Sequence, residues 1–386
     1  MVPDECMLAT YYLEADGDLA QVARDVIVLE TTGGWDGPGT PPELFARCTG
    51  TVVEVQEERP GVGRVTVAFP LVNFDLDGSA FASAWLSMVG GGTHALLAYR
   101  KSRLVDFVLP EAALNAFPGP RFGIEGTRRL LGLDAGMPVI GTIVKPTAGL
   151  TPAEVADLCY RFAAGGVRFI KDDEKMLSPS YCPLRERVRQ VVAALRRAED
   201  QTGQRVLYAP HITTSPWNLV RAAETALAEG ANALMVNFFA AGFQSLEVLR
   251  RQFDVPIYAH CGGKEAFGRE PGQGVSPEVV ARFARLLGGD YFRTGVLGGY
   301  LVGGSAPELH ALTQVLTEPM GCIRPVAPVL SGGLKPANLA ENLQAFGGDV
   351  LALAGTGLTR HPQGIAVAVQ EMLRIAGEVA GGKGVQ

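Results

Sequence analysis

The charged run Lys171-Asp172-Asp173-Glu174 closes a strand-like segment, Val167–Lys171. Strand alternation sends Lys171 and Asp173 to the same face, and Glu174 can turn inward where the strand ends. Two carboxylates with further oxygen donors suit Mg²⁺, a hard cation that keeps several waters. A lysine ammonium repels a metal, but the same side chain carbamylated by CO2 becomes a third carboxylate-like ligand. On this reading Lys171, Asp173 and Glu174 hold Mg²⁺; a solvated loop of mixed charge is the other reading of the same spacing.

Other strand-like runs also end in polar groups: Thr142-Ile143-Val144-Lys145-Pro146, Tyr258-Ala259-His260-Cys261 and Phe292-Arg293-Thr294-Gly295. Ionisable groups gathered at one mouth carry a desolvation cost unless paired or liganded. Ser331-Gly332-Gly333 and Gly355-Thr356-Gly357 each end a strand-like run and lead into a helix. Glycine amides and helix N-termini can cradle a phosphate with no positive side chain, although short strand-to-helix turns need glycine anyway. His211 also ends a strand-like run. His94 and His310 read as surface or helix residues, Cys261 as a small neutral residue, and Trp217 as packed under a helix.

The elements that must position these groups follow from periodicity. From Pro138 onward, short apolar runs alternate with helical segments for about 250 residues, the size of a (β/α)8 barrel. Eight strands are expected: Val139–Lys145, Val167–Lys171, Arg205–His211, Ala233–Phe238, Val255–His260, Tyr291–Val296, Val326–Leu330 and Val350–Ala354. Thr151-Pro152-Ala153-Glu154 and Ser276-Pro277-Glu278 read as capped helix starts. An open doubly wound sheet is the structural alternative. Residues 1–135 read as a small α+β domain, with strands at Ala9–Glu14, Asp25–Leu29, Thr51–Gln56 and Gly63–Pro70 and helices around Glu43 and Phe81–Ser87. Residues 136–386 form the barrel.

Composition narrows the function. Of 386 residues 47% are hydrophobic and 48 are glycine, which excludes intrinsic disorder and implies many tight turns. A net charge of −6 disfavours a nucleic-acid or anionic-membrane partner. The six cysteines lack a CxxC pair, there is no signal-peptide pattern, and no apolar run reaches the ~18 residues of a membrane span, so a cytoplasmic protein is expected.

With these residues in place, the chain resembles the large chains of ribulose-1,5-bisphosphate carboxylase/oxygenase (RuBisCO) over nearly its whole length. The motifs are Thr142–Pro146, Gly165–Glu174, Ser331-Gly332-Gly333 and His361-Pro362, with Ala9-Thr10-Tyr11-Tyr12 similar to the start of the N-terminal domain. The resemblance implies an α/β fold in which a small α+β N-terminal domain precedes the (β/α)8 barrel. It also implies that Lys171 is the carbamylated ligand, that Asp173 and Glu174 complete the Mg²⁺ site, that Lys145 gives or takes a proton, and that His260 is an active-site polar group. A homodimer is implied, or a higher oligomer, in which the N-terminal domain brings Glu30 and the segment containing Trp35 to the neighbouring barrel.

The departures from the family pattern are specific. The second lysine of the first barrel strand is Thr147, the loop-6 lysine falls on Tyr300, and the metal-proximal asparagine falls on Gly91. The arginine after the fifth-strand histidine is Cys261, and the sixth-strand histidine is Arg293. A carboxylase without its cation loses a transition-state contact worth about 2.7–4 kcal/mol. The chain is therefore similar to the RuBisCO-like, form IV branch, which enolises without fixing CO2.

The expected function is a Mg²⁺-dependent lyase or isomerase acting on a phosphorylated keto-sugar or keto-acid through an enediolate. The phosphate would rest on Ser331, Gly332, Gly333, Gly355 and Thr356. Arg293 and Lys264 offer cations for a carboxylate, which favours decarboxylation or C–C hydrolysis of a branched keto-acid phosphate; Lys264 reads equally as a solvated loop residue. The alternatives are a methylthio-sugar phosphate enolase or isomerase of methionine salvage and a non-catalytic regulatory homologue.

Overall fold

The computed structural model describes residues 5–33, 39, 41–76 and 81–382. The chain divides into two compact units. The first comprises Met1–Pro118, Gly263–Leu286 and Met320–Ile323, and the second Gly119–Gly262, Leu287–Pro319 and Arg324–Gln386. The sequence predicts a single boundary after residue 135, whereas the chain returns to the first unit twice.

The first unit is built on a sheet of β1 (Cys6–Ala15), β2 (Thr51–Arg59), β3 (Val62–Pro70), β4 (Tyr99–Val108) and the short β10 (Gly274–Val275). Their order is β10-β4-β1-β3-β2, antiparallel except for β10 beside β4. That pairing, with the Ser276 hydroxyl donating to the Val105 carbonyl at 2.7 Å, draws Gly263–Leu286 into this unit. Strand β1 alternates, burying Met7, Ala9, Tyr11, Leu13 and Ala15. Phe283 packs edge-on to Trp85 at 4.4 Å and against Phe107 at 5.0 Å.

One expected strand is a helix. Asp25–Leu29 lies inside the helix Leu19–Thr32, which buries Leu19, Ala23, Val26 and Ile27 on one face. The Asp18 carboxylate accepts from the amides of Ala20 and Gln21, and Gly33 ends the helix at φ +70°. The β-branched run within it imitates a strand, but the 3.6-residue period over fourteen residues prevails. Strand β4 was not anticipated, because its charged Arg100, Lys101 and Arg103 mask the alternation.

All eight barrel strands fall within the expected ranges: β5 (Val139–Ile143), β6 (Phe169–Lys171), β7 (Leu207–Ala209), β8 (Leu234–Asn237), β9 (Ile257–His260), β11 (Tyr291–Arg293), β12 (Ala327–Leu330) and β13 (Leu351–Leu353). They pair in parallel in the order β7-β6-β5-β13-β12-β11-β9-β8. A parallel bridge from His211 to Met235 joins β8 to the residues after β7 and closes the barrel. Its interior holds Val139, Phe169, Leu207, Met235, Tyr258, Tyr291 and their neighbours. At the opposite end from the site, buried Asp290 accepts from the amides of Phe122 and Gly123, at 2.6 and 3.2 Å, and pairs with Arg250 at 2.5 Å.

Thr151 caps Pro152–Ala164 in a reciprocal capping box with Glu154. Trp217, expected under a helix, is 82% exposed in the first turn of Pro216–Ala228. Among the described residues no helix is long and apolar enough to cross a membrane.

Candidate active site

The two-residue strand period explains how the barrel carries its polar groups. Phe169, Tyr258, Tyr291, Val329 and Leu353 point into the core. Two residues further along the same strands stand Lys171, His260, Arg293, Ser331 and Gly355, so the inward face passes from apolar core to polar mouth in one step. Lys145 follows Ile143 in the same way.

Lys171 is 1% exposed, and its ammonium donates to the Asp172 backbone carbonyl at 2.8 Å and lies 5.2 Å from the centre of the Tyr258 ring. Burial drives its pKa down to about 8, against the opposing pull of Glu174, Asp173 and Asp172. A substantial fraction of this amine is therefore neutral near pH 8, the form that adds CO2. Asp173 is completely buried; its carboxylate pairs with the Lys145 ammonium and accepts from the Lys175 amide at 3.0 Å. Glu174 lies with Oε1 3.3 Å from Lys175 Nζ and Oε2 3.6 Å from His260 Nε2. Burial opposes its ionisation, but the neighbouring cations Lys171 and Lys175 hold its carboxyl below the usual carboxylate range.

The His260 tautomer follows from its contacts: Nδ1 accepts from the Gly262 amide at 3.0 Å, which leaves a proton on Nε2, toward Glu174. Burial and the Lys171 charge push its pKa well below the ordinary histidine value, so the imidazole is neutral. Ser331 is buried and shares a side-chain hydrogen bond with Tyr258. A Cβ on Gly332 would stand 3.8 Å from Arg293 Nη1, which puts that guanidinium beside the Ser331–Gly333 loop. A Cβ on Gly333, at φ +120°, would collide with Gly299 Cα at 2.9 Å, so close packing on the Gly299-Tyr300 turn requires glycine here. Gly355 lies against the Lys145 side chain, where a Cβ would meet Cγ at 3.4 Å. Gly333, Thr356 and Tyr300 line one cavity of about 700 Å³.

The remaining expected residues belong to the first unit or lie outside the described residues. Lys264 is in the first unit, its ammonium 3.0 Å from Glu265 Oε1. Glu30, also in the first unit, packs against Gly92, and burial raises its pKa. Trp35 lies outside the described residues.

Two groups of residues were not anticipated. Tyr258 lies between Lys171, His260 and Ser331. Asp172 faces away from the mouth and accepts from Arg187 Nε at 3.0 Å, the Tyr208 hydroxyl at 2.9 Å and the His211 amide at 3.0 Å, all buried. Arg187 could have been suspected, since it continues the buried stripe Val191, Leu195, Ala198 of the helix Leu184–Thr202. Both ring nitrogens of His211 are buried without a hydrogen-bond partner, and burial lowers its pKa to about 4.

Among the described residues no three His, Cys, Asp or Glu side chains are gathered closely enough to hold a metal. Asp173 and Glu174 supply two carboxylates, and a third hard ligand arises here only if Lys171 carries CO2. The buried, depressed amine of Lys171 makes that addition chemically accessible, so the residues present fit Mg²⁺ on that condition.

A closed parallel barrel whose lysines, carboxylates and imidazole meet at the strand C-termini defines a (β/α)8 protein with its polar centre at the usual catalytic end. The profile of the ribulose bisphosphate carboxylase large chain, catalytic domain, matches residues 123–385, and the chain belongs to the RuBisCO large-chain family. It is 34% identical to a 3-oxo-isoapionate-4-phosphate decarboxylase of Rhizobium etli over 385 residues, covering 94% of this chain and 90% of that protein. Octameric RuBisCO of Pyrococcus horikoshii superposes with a TM-score of 0.91 at 28% identity, covering 99% and 90% of the two chains. A rubisco-like protein (MtnW) of Alicyclobacillus acidocaldarius superposes with a TM-score of 0.89 at 30% identity, covering 99% and 95%.

Proposed function

We propose that this chain is a Mg²⁺-dependent, non-carboxylating member of the family that decarboxylates a 3-oxo sugar-acid phosphate. The observation that carries the reading is the grouping of Lys145 on Asp173, buried Lys171, and Glu174 facing neutral His260, with Tyr300 where the family places its loop-6 lysine. The resemblance in sequence to the Rhizobium etli decarboxylase supports the substrate class.

The neutral Lys171 amine attacks CO2; an N–C bond forms and one N–H proton leaves to solvent. The resulting carbamate, with Asp173 and Glu174, would hold Mg²⁺. The chemistry supplied by bound Mg²⁺ is Lewis-acid polarisation of neighbouring carbonyl and hydroxyl oxygens. Arg293 presents a planar fork to the substrate carboxylate. The bond from that carboxylate to the adjacent carbon breaks, its electron pair passes into the 3-oxo group to give an enediolate, and CO2 departs. Lys145 then returns a proton to carbon, and His260 Nε2–H donates to a substrate oxygen. The phosphate rests on the loops of Ser331, Gly332, Gly333, Gly355 and Thr356. As the family resemblance implies, the working form is a homodimer in which Glu30 and Trp35 reach the neighbouring site.

The test is to incubate the protein, Mg²⁺ and bicarbonate with 3-oxo-isoapionate 4-phosphate and to measure CO2 release. Release that requires Lys171 supports the reading. Absence of release, with solvent deuterium exchanging instead into a methylthio-sugar phosphate, would replace it with the enolase alternative.

A further inference from the structure

The two-residue period of strand β7 runs from Leu207 and Ala209, which face the barrel core, to His211, which therefore turns to the mouth. The backbone there is clamped. The Met235 amide donates to the Pro210 carbonyl at 3.0 Å, the Ile212 amide donates to the Met235 carbonyl at 2.9 Å, and the His211 amide donates to buried Asp172 at 3.0 Å. The point at which the imidazole enters the mouth is thereby fixed from both sides.

Its neighbours in the mouth are partnered. Lys145 rests on Asp173, His260 takes the Gly262 amide on one nitrogen and faces Glu174 with the other, and Ser331 bonds to Tyr258. His211 is as deeply buried as Lys171, and neither of its ring nitrogens has a hydrogen-bond partner among the described residues. A buried polar group left unmet carries its full desolvation penalty, so each such group calls for a partner.

The nearest candidate changes character with its chemistry. After burial, the Lys171 ammonium is the strongest influence on the His211 ring, opposing its protonation, so the imidazole is neutral with one N–H to give. An ammonium is a donor only, and that of Lys171 donates to the Asp172 carbonyl at 2.8 Å; it offers the imidazole N–H no acceptor. Addition of CO2 reverses this. The ammonium gives up one proton and the amine loses a second as the N–C bond forms, both to solvent, so a positive group becomes a negative one bearing two acceptor oxygens. Mg²⁺ prefers oxygen ligands to imidazole, which leaves the N–H of His211, rather than its lone pair, as the end that meets this group.

We propose that His211 is a positioning residue for carboxylated Lys171, donating its ring N–H to a carbamate oxygen and so limiting the rotation of that group. This role rests on the carbamate included in the function proposed above, and it adds a residue outside the three assigned to the cation.

The test is thermal unfolding of the full-length protein near pH 8 with saturating Mg²⁺ across a bicarbonate titration, with Lys171→Ala as the blank. His211→Leu should need about tenfold more bicarbonate to reach half of the wild-type gain in melting temperature, as expected when a hydrogen bond to a charged group is lost. His211→Asn and His211→Gln keep a side-chain N–H at the depths of Nδ1 and Nε2, and one of them should recover most of that loss; recovery by neither overturns the role. Without Mg²⁺ and bicarbonate, His211→Leu should melt at or above wild type, because it removes two unmet nitrogens from a buried position. A lower melting temperature there would show that the ring is already satisfied in the uncarboxylated protein, and the role falls. A wild-type response that Lys171→Ala abolishes and His211→Leu leaves at the same midpoint overturns the role of His211 while keeping the carbamate. No wild-type response, or one that Lys171→Ala retains, removes the carbamate and the role of His211 with it.

Discussion

Arg187 pairs with Asp172 at 3.0 Å, both side chains at 0% exposure, directly behind the residues that present Lys171 and Asp173 to the barrel mouth. The pair makes Asp172 an anchor. With the Tyr208 hydroxyl and the His211 amide on the same carboxylate, the backbone on either side has little freedom to swing.

Removing one partner of a buried pair leaves an uncompensated charge, which typically costs about 3–5 kcal/mol. Arg187→Met should lower the stability measured by denaturant unfolding by about that amount. Tyr208→Phe, which removes one hydroxyl, should cost about 1–2 kcal/mol and leave the protein folded. In that milder variant the thermal stabilisation by Mg²⁺ with bicarbonate should fall, because the residues flanking Asp172 are no longer held. Full retention of the metal response in Tyr208→Phe would show that Asp172 does not position the site.

Lys171 gives a prediction with a defined pH window. Its pKa falls from 10.5 unfolded to about 8 folded. Between those values the unfolded chain holds a proton that the folded chain has released, so this group's contribution to stability rises with pH across the window. Below pH 8 its burial costs the folded protein about 3 kcal/mol. With CO2 and Mg²⁺ excluded, Lys171→Met should therefore be more stable than wild type at pH 7, and the difference should shrink as pH rises from 8 toward 10.5. Parallel unfolding curves for the two proteins over that range would show that the wild-type amine is not desolvated as described. With CO2 and Mg²⁺ present at pH 8, only wild type should gain melting temperature.

The barrel was legible because each buried parallel strand reads as a short apolar run, and its end residues could be picked out as polar groups closing those runs. Lys145, Lys171, Asp173, Glu174, His260 and Arg293 are picked out this way as strand-end groups, and the structure places them at or just beyond the ends of their strands. The anchor behind them was not, because Asp172 looks like part of the same acidic run until its side chain is seen to face Arg187 and Tyr208, which lie 15 and 36 residues away in sequence. Asp25–Leu29 misled because five residues show composition, whereas the period that makes them helical needs fourteen. The spacing of the glycines at 332 and 333 predicts a phosphate cradle; the packing of Gly333 on Gly299 is a tertiary requirement that motif spacing does not contain.

Lys145 separates proton transfer from cation binding. Its ammonium rests on Asp173, yet it is not one of the three residues assigned to Mg²⁺. Lys145→Met should lower kcat for decarboxylation by about 10²–10⁴-fold, the usual worth of a positioned acid or base. Stabilisation by Mg²⁺ with bicarbonate should persist, since Lys171, Asp173 and Glu174 remain. The complementary variant, Lys171→Met, should lose both. Product formed in deuterium oxide by Lys145→Met should then carry deuterium without stereochemical preference, because solvent replaces the side chain as proton source. If Lys145→Met abolishes the metal response as well, Lys145 is part of the cation site and the proton must come from elsewhere. Unchanged kcat would exclude it from the chemistry altogether.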